Sequence, residues 1–131
     1  MDFTYTAKRS VQSGHSAGTS YTITIDLQQF DRASRLQGTQ RTALDGTTVT
    51  IAHREETDIN IATDLVPADG SGAPSYLDMR EFLDSVKGGE LFTVDDGSSP
   101  FSARVVDLAN PYTETREGSL YFRYSFRVRV A

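Results

Sequence analysis

The clearest pattern in the chain is its last stretch, Ser119 to Ala131. There Leu120, Phe122, Tyr124, Phe126, Val128 and Val130 take every even position, and Tyr121, Arg123, Ser125, Arg127 and Arg129 take odd ones. Strict alternation is the mark of a strand with one buried and one solvated face, and this one has an extended length of roughly 40 Å. A slip of one residue would bury three arginines, so its register is strongly specified. The same period-two signal places a short strand at Phe3–Ala7. It places another where Tyr21, Ile23, Ile25 and Leu27 share a face, and a third over Asp58–Val66 with Ile59, Ile61 and Leu65 on one side. Thr39–Leu44 and Thr47–His53 read as a hairpin around Asp45-Gly46, a pair suited to the positive φ angles of a tight turn. Val49, Ile51 and His53 fall on one face of its second arm.

One segment switches to helical spacing. Tyr76, Met79, Phe82, Leu83 and Val86 form an apolar stripe, Ser75 stands where an N-cap belongs with Asp78 three residues on, and Gly88-Gly89 ends the run. A lone helix of this length is marginal in water, so it must lie on a sheet. Beyond it, Glu90–Val94 and Phe101–Leu108 read as strands joined by an Asp95–Ser98 turn. Ser10–Ser20, Pro67–Pro74 and Ala109–Gly118 are polar or rich in breakers and read as loops, and Phe30–Gly38 is polar and irregular. The sum is about seven or eight strands and one helix at about residues 76–87. Tight turns between consecutive strands imply antiparallel pairing. The expected fold is a single mainly β domain over residues 1–131, an antiparallel β-sandwich or partly closed barrel with one flanking helix.

Composition narrows the chemistry more than the fold. The 131 residues include no cysteine, which removes disulfides, thiolate metal sites and cysteine nucleophiles together. The two histidines, His15 and His53, are far apart and make no zinc signature, so no metal site is expected from spacing. His53 reads as a partly buried strand residue and His15 as an exposed loop residue. Asp95-Asp96-Gly97, Asp64 and Asp69 lack calcium-ligand spacing and read as turn formers. No nucleophile elbow or phosphate loop is present, and no catalytic or cofactor-binding residue is assigned. No apolar run approaches the roughly 20 residues of a membrane helix, and the first residues lack the layout of a signal peptide. A net charge of −5 disfavours wrapping of phosphate backbones.

The odd face of the last strand carries the one surface with a functional reading. Tyr121, Arg123, Arg127 and Arg129 are of types enriched at protein interfaces. The same stripe also fits an exposed sheet face whose arginines pair with acids on neighbouring strands, or a single-strand nucleic-acid platform that the acidic total argues against. A ligand-binding module of the carbohydrate type is a separate alternative, with Tyr5, Tyr112 and Tyr121 as its aromatic candidates.

Gln37-Gly38-Thr39-Gln40-Arg41-Thr42-Ala43-Leu44-Asp45-Gly46, leading into Val49-Thr50-Ile51-Ala52-His53-Arg54-Glu55, is followed later by Met79-Arg80-Glu81-Phe82-Leu83-Asp84-Ser85-Val86-Lys87-Gly88-Gly89-Glu90-Leu91-Phe92-Thr93-Val94-Asp95. Together with the long final strand these segments resemble small tail proteins of long-tailed bacteriophages and prophages, of the minor-tail, distal-tail or tail-tube kind. The resemblance spans roughly residues 20 to 130. It implies a structural virion protein that acts by oligomeric assembly and not by catalysis. Its partners would be copies of itself in a ring and neighbouring tail proteins, around a channel through which DNA passes without specific binding. It also implies synthesis in the bacterial host cytoplasm and a final place in the virion tail. Distal-tail proteins often carry a second carbohydrate-binding-like domain, for which this chain has no room. Head-to-tail ring contacts need one surface to complement a different one, and acids such as Glu55, Glu56, Asp64 and Asp69 are candidates to meet the arginine stripe of the next copy. The long loops are candidates to order on assembly.

Overall fold

In the computed structural model, the described residues are 1–8, 15–42, 44, 46, 48–68 and 74–131, with the side chains of 36–42 and 48–54 left aside. They form strands β1 (Asp2–Thr6), β2 (Ser20–Thr24), β3 (Leu27–Thr42), β4 (Thr48–Thr63) and β5 (Val66–Pro67), helix α1 (Tyr76–Val86), then β6 (Phe92–Asp95), β7 (Phe101–Val105), β8 (Thr113–Glu117) and β9 (Tyr121–Val130). All pair antiparallel in one sheet with the order β2-β1-β6-β7-β9-β4-β3, and β5 and β8 join through β9. The sheet does not close on itself, and the mainly antiparallel β fold with one flanking helix is consistent with the β-sandwich of the two expected forms.

β9 is the hub. Its C-terminal half lies between β7 and β4, through Arg104↔Arg129 on one edge and Asp58↔Arg129 on the other. Its N-terminal half lies between β8 and β5, through Glu117↔Tyr121 and Pro67↔Tyr121. Phe122, Tyr124, Phe126 and Val128 are buried on its inner face, as the alternation demands. Leu120, expected on that face, is 66% exposed, because it precedes the strand.

The helix lies across the inner face. Ser75 caps it: its hydroxyl accepts from the Asp78 amide and the Asp78 carboxylate accepts from the Ser75 amide, a reciprocal capping box. Lys87 is the C-cap, and Gly89 takes the left-handed φ of 86° that ends the segment. Phe82 sits at the centre of the core, its ring 5.4 Å from Phe3, 5.1 Å from Tyr5, 5.4 Å from Phe92 and 6.1 Å from Phe126. Met79, Leu83 and Val86 complete the expected stripe. A second face is also buried, carrying Glu81 and Ser85. There the chain leaving β1 meets the helix, with the Lys8 amide donating to Ser85 Oγ at 3.1 Å.

Three segments differ from the sequence pattern. Phe30–Gly38, irregular in its sequence pattern, is the middle of β3. Asp58–Val66 is not one strand: residues up to Thr63 belong to β4, Leu65 is 43% exposed, and Val66 is buried in β5. Ala109–Gly118 contains β8, held to the helix by Arg80, whose Nε and NH2 groups donate to Glu114 at 3.0 and 2.8 Å, and by the Tyr112 hydroxyl, which donates to Asp84 at 2.8 Å. β8 is polar on both faces, and the middle of β3 sets Phe30 and Ala33 among charged and polar residues without a period of two, so periodicity gave no signal.

β3 and β4 pair from Leu27↔Thr63 to Thr42↔Thr48, whereas β4 pairs with β9 only over Asp58–Ala62. Past Asp58 the two strands have only each other in the ladder. They therefore form a two-stranded arm of about 30 Å, with Leu44 fully exposed in its connection and Gly46 at φ 86°. Asp45 and the loop segments 9–14 and 69–73 lie outside the described residues.

Candidate assembly surface and a polar cluster on the helix

The outer face of β9 points away from the helix. On it, Tyr121 is 40% exposed, and the arginines meet acids of this same chain. Asp58 accepts from Arg129 Nε at 2.8 Å and from its NH2 group at 3.4 Å, and Arg127 stands 3.6 Å from the same carboxylate. Glu56 on β4, although buried, receives Arg35 Nε at 3.0 Å and Arg35 NH2 at 2.8 Å, with Arg129 at 3.6 Å. The result is a ribbon of alternating charge, Arg35, Glu56, Arg129, Asp58 and Arg127, across β3, β4 and β9. Each charge-assisted bond favours the ionised form of its carboxylate. The Arg129 hydrogen bond accordingly holds the Asp58 carboxyl below its ordinary value.

The four stripe residues thus differ in availability. Arg129 is engaged on two acids. Arg127, with its side chain 51% exposed, makes one long contact. Arg123 is 3.7 Å from Glu117, and its buried Nε has no acceptor among the described residues. Tyr121 is open, and Leu65 stands exposed near it beside the β5–β9 pairing. Arg104, opposite Arg129 on β7, carries positive charge further along the sheet. Of the acids expected to meet a second copy, Glu56 is consumed within the chain and Glu55 is exposed. The Asp64 carboxylate accepts from the Leu65 amide, and Asp69 lies outside the described residues.

The three tyrosines of the carbohydrate alternative do not form a platform. Tyr5 is 2% exposed in the core, and Tyr112 is half-buried against the helix. Only Tyr121 faces solvent. The turn acids behave as expected of turn formers: Asp95 accepts from the Gly97 amide, and Asp96 from the Ser98 and Ser99 amides. Those donors, the Ser98 amide first, bring the exposed Asp96 carboxyl down to about 2.

His15 is not the free loop residue that the sequence suggests. Its Nδ1 is 2.5 Å from Glu81 Oε2, and its ring stacks on Tyr21 at 3.9 Å. The Tyr5 hydroxyl donates to the same Glu81 oxygen at 3.3 Å. Burial first, then the Glu81 charge, pushes the Tyr5 phenol well above its usual range. Asp78, one turn before Glu81, brings a third ligand-type side chain: one donor atom from each of His15, Asp78 and Glu81 lies within 4.8 Å of the others. A cleft of about 330 Å³ adjoins this cluster, lined by His15, Asp78, Tyr21 and Pro74 among others. No sequence motif marks it, because residue 15 meets residues 78 and 81 only through the tertiary fold. His53 falls where the β3–β4 register shifts between Gln37 and Gly38, and its side chain lies outside the described residues.

Among the described residues no helix is long and apolar enough to cross a membrane. No protein family and no curated protein sequence matches this chain. Among solved structures it is similar to a chain from the tail of an empty gene-transfer-agent particle, refined helically with C6 symmetry. The TM-score is 0.53 at 13% identity, covering 87% of this chain and 83% of that one. At that identity the likeness is one of fold alone.

Proposed function

We propose that this protein is a structural subunit of a phage-like tail, working by assembly with copies of itself and neighbouring tail proteins and not by catalysis. The observation that carries the reading is the β3–β4 arm. A two-stranded ribbon is at best marginally stable on its own in water, and its exposed edges and apolar tip residue Leu44 suit a surface on another subunit. The fold likeness to a chain in a sixfold particle tail supports it. A ring of copies is the economical assembly, because an arm fitting a different surface of the next copy makes a head-to-tail contact that closes by rotation.

Tyr121, Arg123 and Arg127 form the contact face of β9 in this reading, with Arg129 holding that face flat through Asp58. A net charge of −5 suits a channel wall along which DNA slides without adhering. Production in a bacterial cytoplasm and incorporation into a virion tail follow from the same reading.

The test is assembly of the purified chain, measured by light scattering and electron microscopy over a concentration series, alone and with tail proteins from neighbouring genes. Rings or tubes are expected. Leu44→Asp and Arg127→Glu are expected to weaken them while thermal unfolding stays within a few degrees of the parent. A chain that remains monomeric under all these conditions, or whose assembly ignores both substitutions, removes the reading.

A further inference from the structure

We propose that His15, Asp78 and Glu81 form a binding site for a divalent cation of the zinc class, at the junction of the β1–β2 connection and the helix. The site is separate from the assembly surface and does not depend on the tail reading.

Three observations converge. The donor set is one imidazole nitrogen and two carboxylates, a combination that suits zinc and its neighbours better than calcium, which takes six to eight oxygens. The placement is built by the fold: Asp78 and Glu81 are three residues apart on one helix face, and His15 is brought over them from a distant segment and held by its stack on Tyr21. The surroundings leave an entry path, because the adjoining cleft of about 330 Å³ has His15 and Asp78 in its wall and space for water ligands.

The geometry needs only small movements. Two ligands of a tetrahedral ion at bonds of about 2.1 Å stand roughly 3.4 Å apart. His15 Nδ1 and Glu81 Oε2 are now 2.5 Å apart, and all three donor atoms are within 4.8 Å of one another. Rotations of side chains bring such a set to a common centre. Asp78 can serve both roles, because a carboxylate has two oxygens with about four lone-pair sites, and the capping box uses Oδ2. The Tyr5 hydroxyl, already donating to Glu81, would remain as an outer hydrogen bond that orients the ligand carboxylate.

The chelator-treated protein is titrated with zinc chloride by calorimetry and with cobalt chloride by visible absorption. One ion per chain, nitrogen and oxygen ligation in the cobalt spectrum and a zinc-dependent rise in melting temperature are expected. His15→Gln replaces the imidazole nitrogen with an amide, a much weaker zinc donor, and should weaken zinc binding by at least about tenfold, with far-ultraviolet circular dichroism unchanged. Asp78→Asn should weaken it as well, and His53→Gln should not. Absence of saturable zinc binding overturns the proposal. So does binding that survives His15→Gln at full strength, or that His53→Gln abolishes. Glu81→Gln is a poor first test, because the buried carboxylate also bonds Tyr5 and its loss can unfold the chain.

Discussion

Arg129 on β9 faces Asp58 on β4 across one rung of the sheet, with Nε 2.8 Å from Oδ1, and the pair fixes the root of the β3–β4 arm. Asp58 is the last β4 residue to pair with β9 before the strands leave the sheet, so this contact marks where a two-stranded ribbon gains its third strand. Both side chains retain some exposure, which limits the energy. A double-mutant cycle of Asp58→Asn and Arg129→Gln should give a coupling of about 0.5–1 kcal/mol by urea unfolding. Hydrogen exchange should rise first in β4 residues beyond Asp58.

The same pair sets a dependence on acid. The folded-state carboxyl of Asp58 lies below its ordinary value of 3.8 because Arg129 donates to it. Its contribution is therefore present above that value and is lost as pH falls through the folded-state value. Stability measured between pH 5 and 2 should decline, and Asp58→Asn should flatten part of the decline. Equal slopes in parent and variant would count against the pair.

At the alkaline end the sign is reversed. Tyr5, Tyr112 and Tyr124 are all pushed well above 10.0, by burial first and then by Glu81, Asp84 and Glu114 respectively. The folded state holds these protons more tightly than the unfolded one, so stability is intact below pH 10 and falls as pH rises beyond it. Phenolate absorbance should show that three of the chain's six tyrosines ionise only as the protein unfolds.

Phe82→Ala tests the core directly. The ring touches Phe3, Tyr5, Phe92 and Phe126 on two strands flanking the helix and on the hub strand, so its removal opens a cavity that no neighbour can fill. A loss of about 3–5 kcal/mol is expected in denaturant unfolding.

Ser75→Ala tests the helix start. It removes the acceptor for the Asp78 amide and should cost about 1 kcal/mol. Ser75→Asp should recover most of this, since a carboxylate caps equally well.

The period-two pattern of β9 and the 3.6-residue stripe of the helix determined which side chains face the core, because burial on one face leaves a periodic trace whatever the neighbours are. Phe122, Tyr124, Phe126, Val128, Met79, Phe82, Leu83 and Val86 are all buried as that trace requires. Capping residues act over three positions, so Ser75 and Asp78 were legible too. Strand β8 and the middle of β3 left no trace, because their pairing uses backbone groups that every sequence carries. Leu65 and Leu120 fit an alternating pattern but sit just outside the strands that would have buried them. Only the tertiary structure decided that Arg129 would be spent on Asp58 while Tyr121 stayed open, and that His15 would meet Asp78 and Glu81. Those contacts join residues more than sixty positions apart, and the sheet order that brings them together depends on how all the strands pair at once.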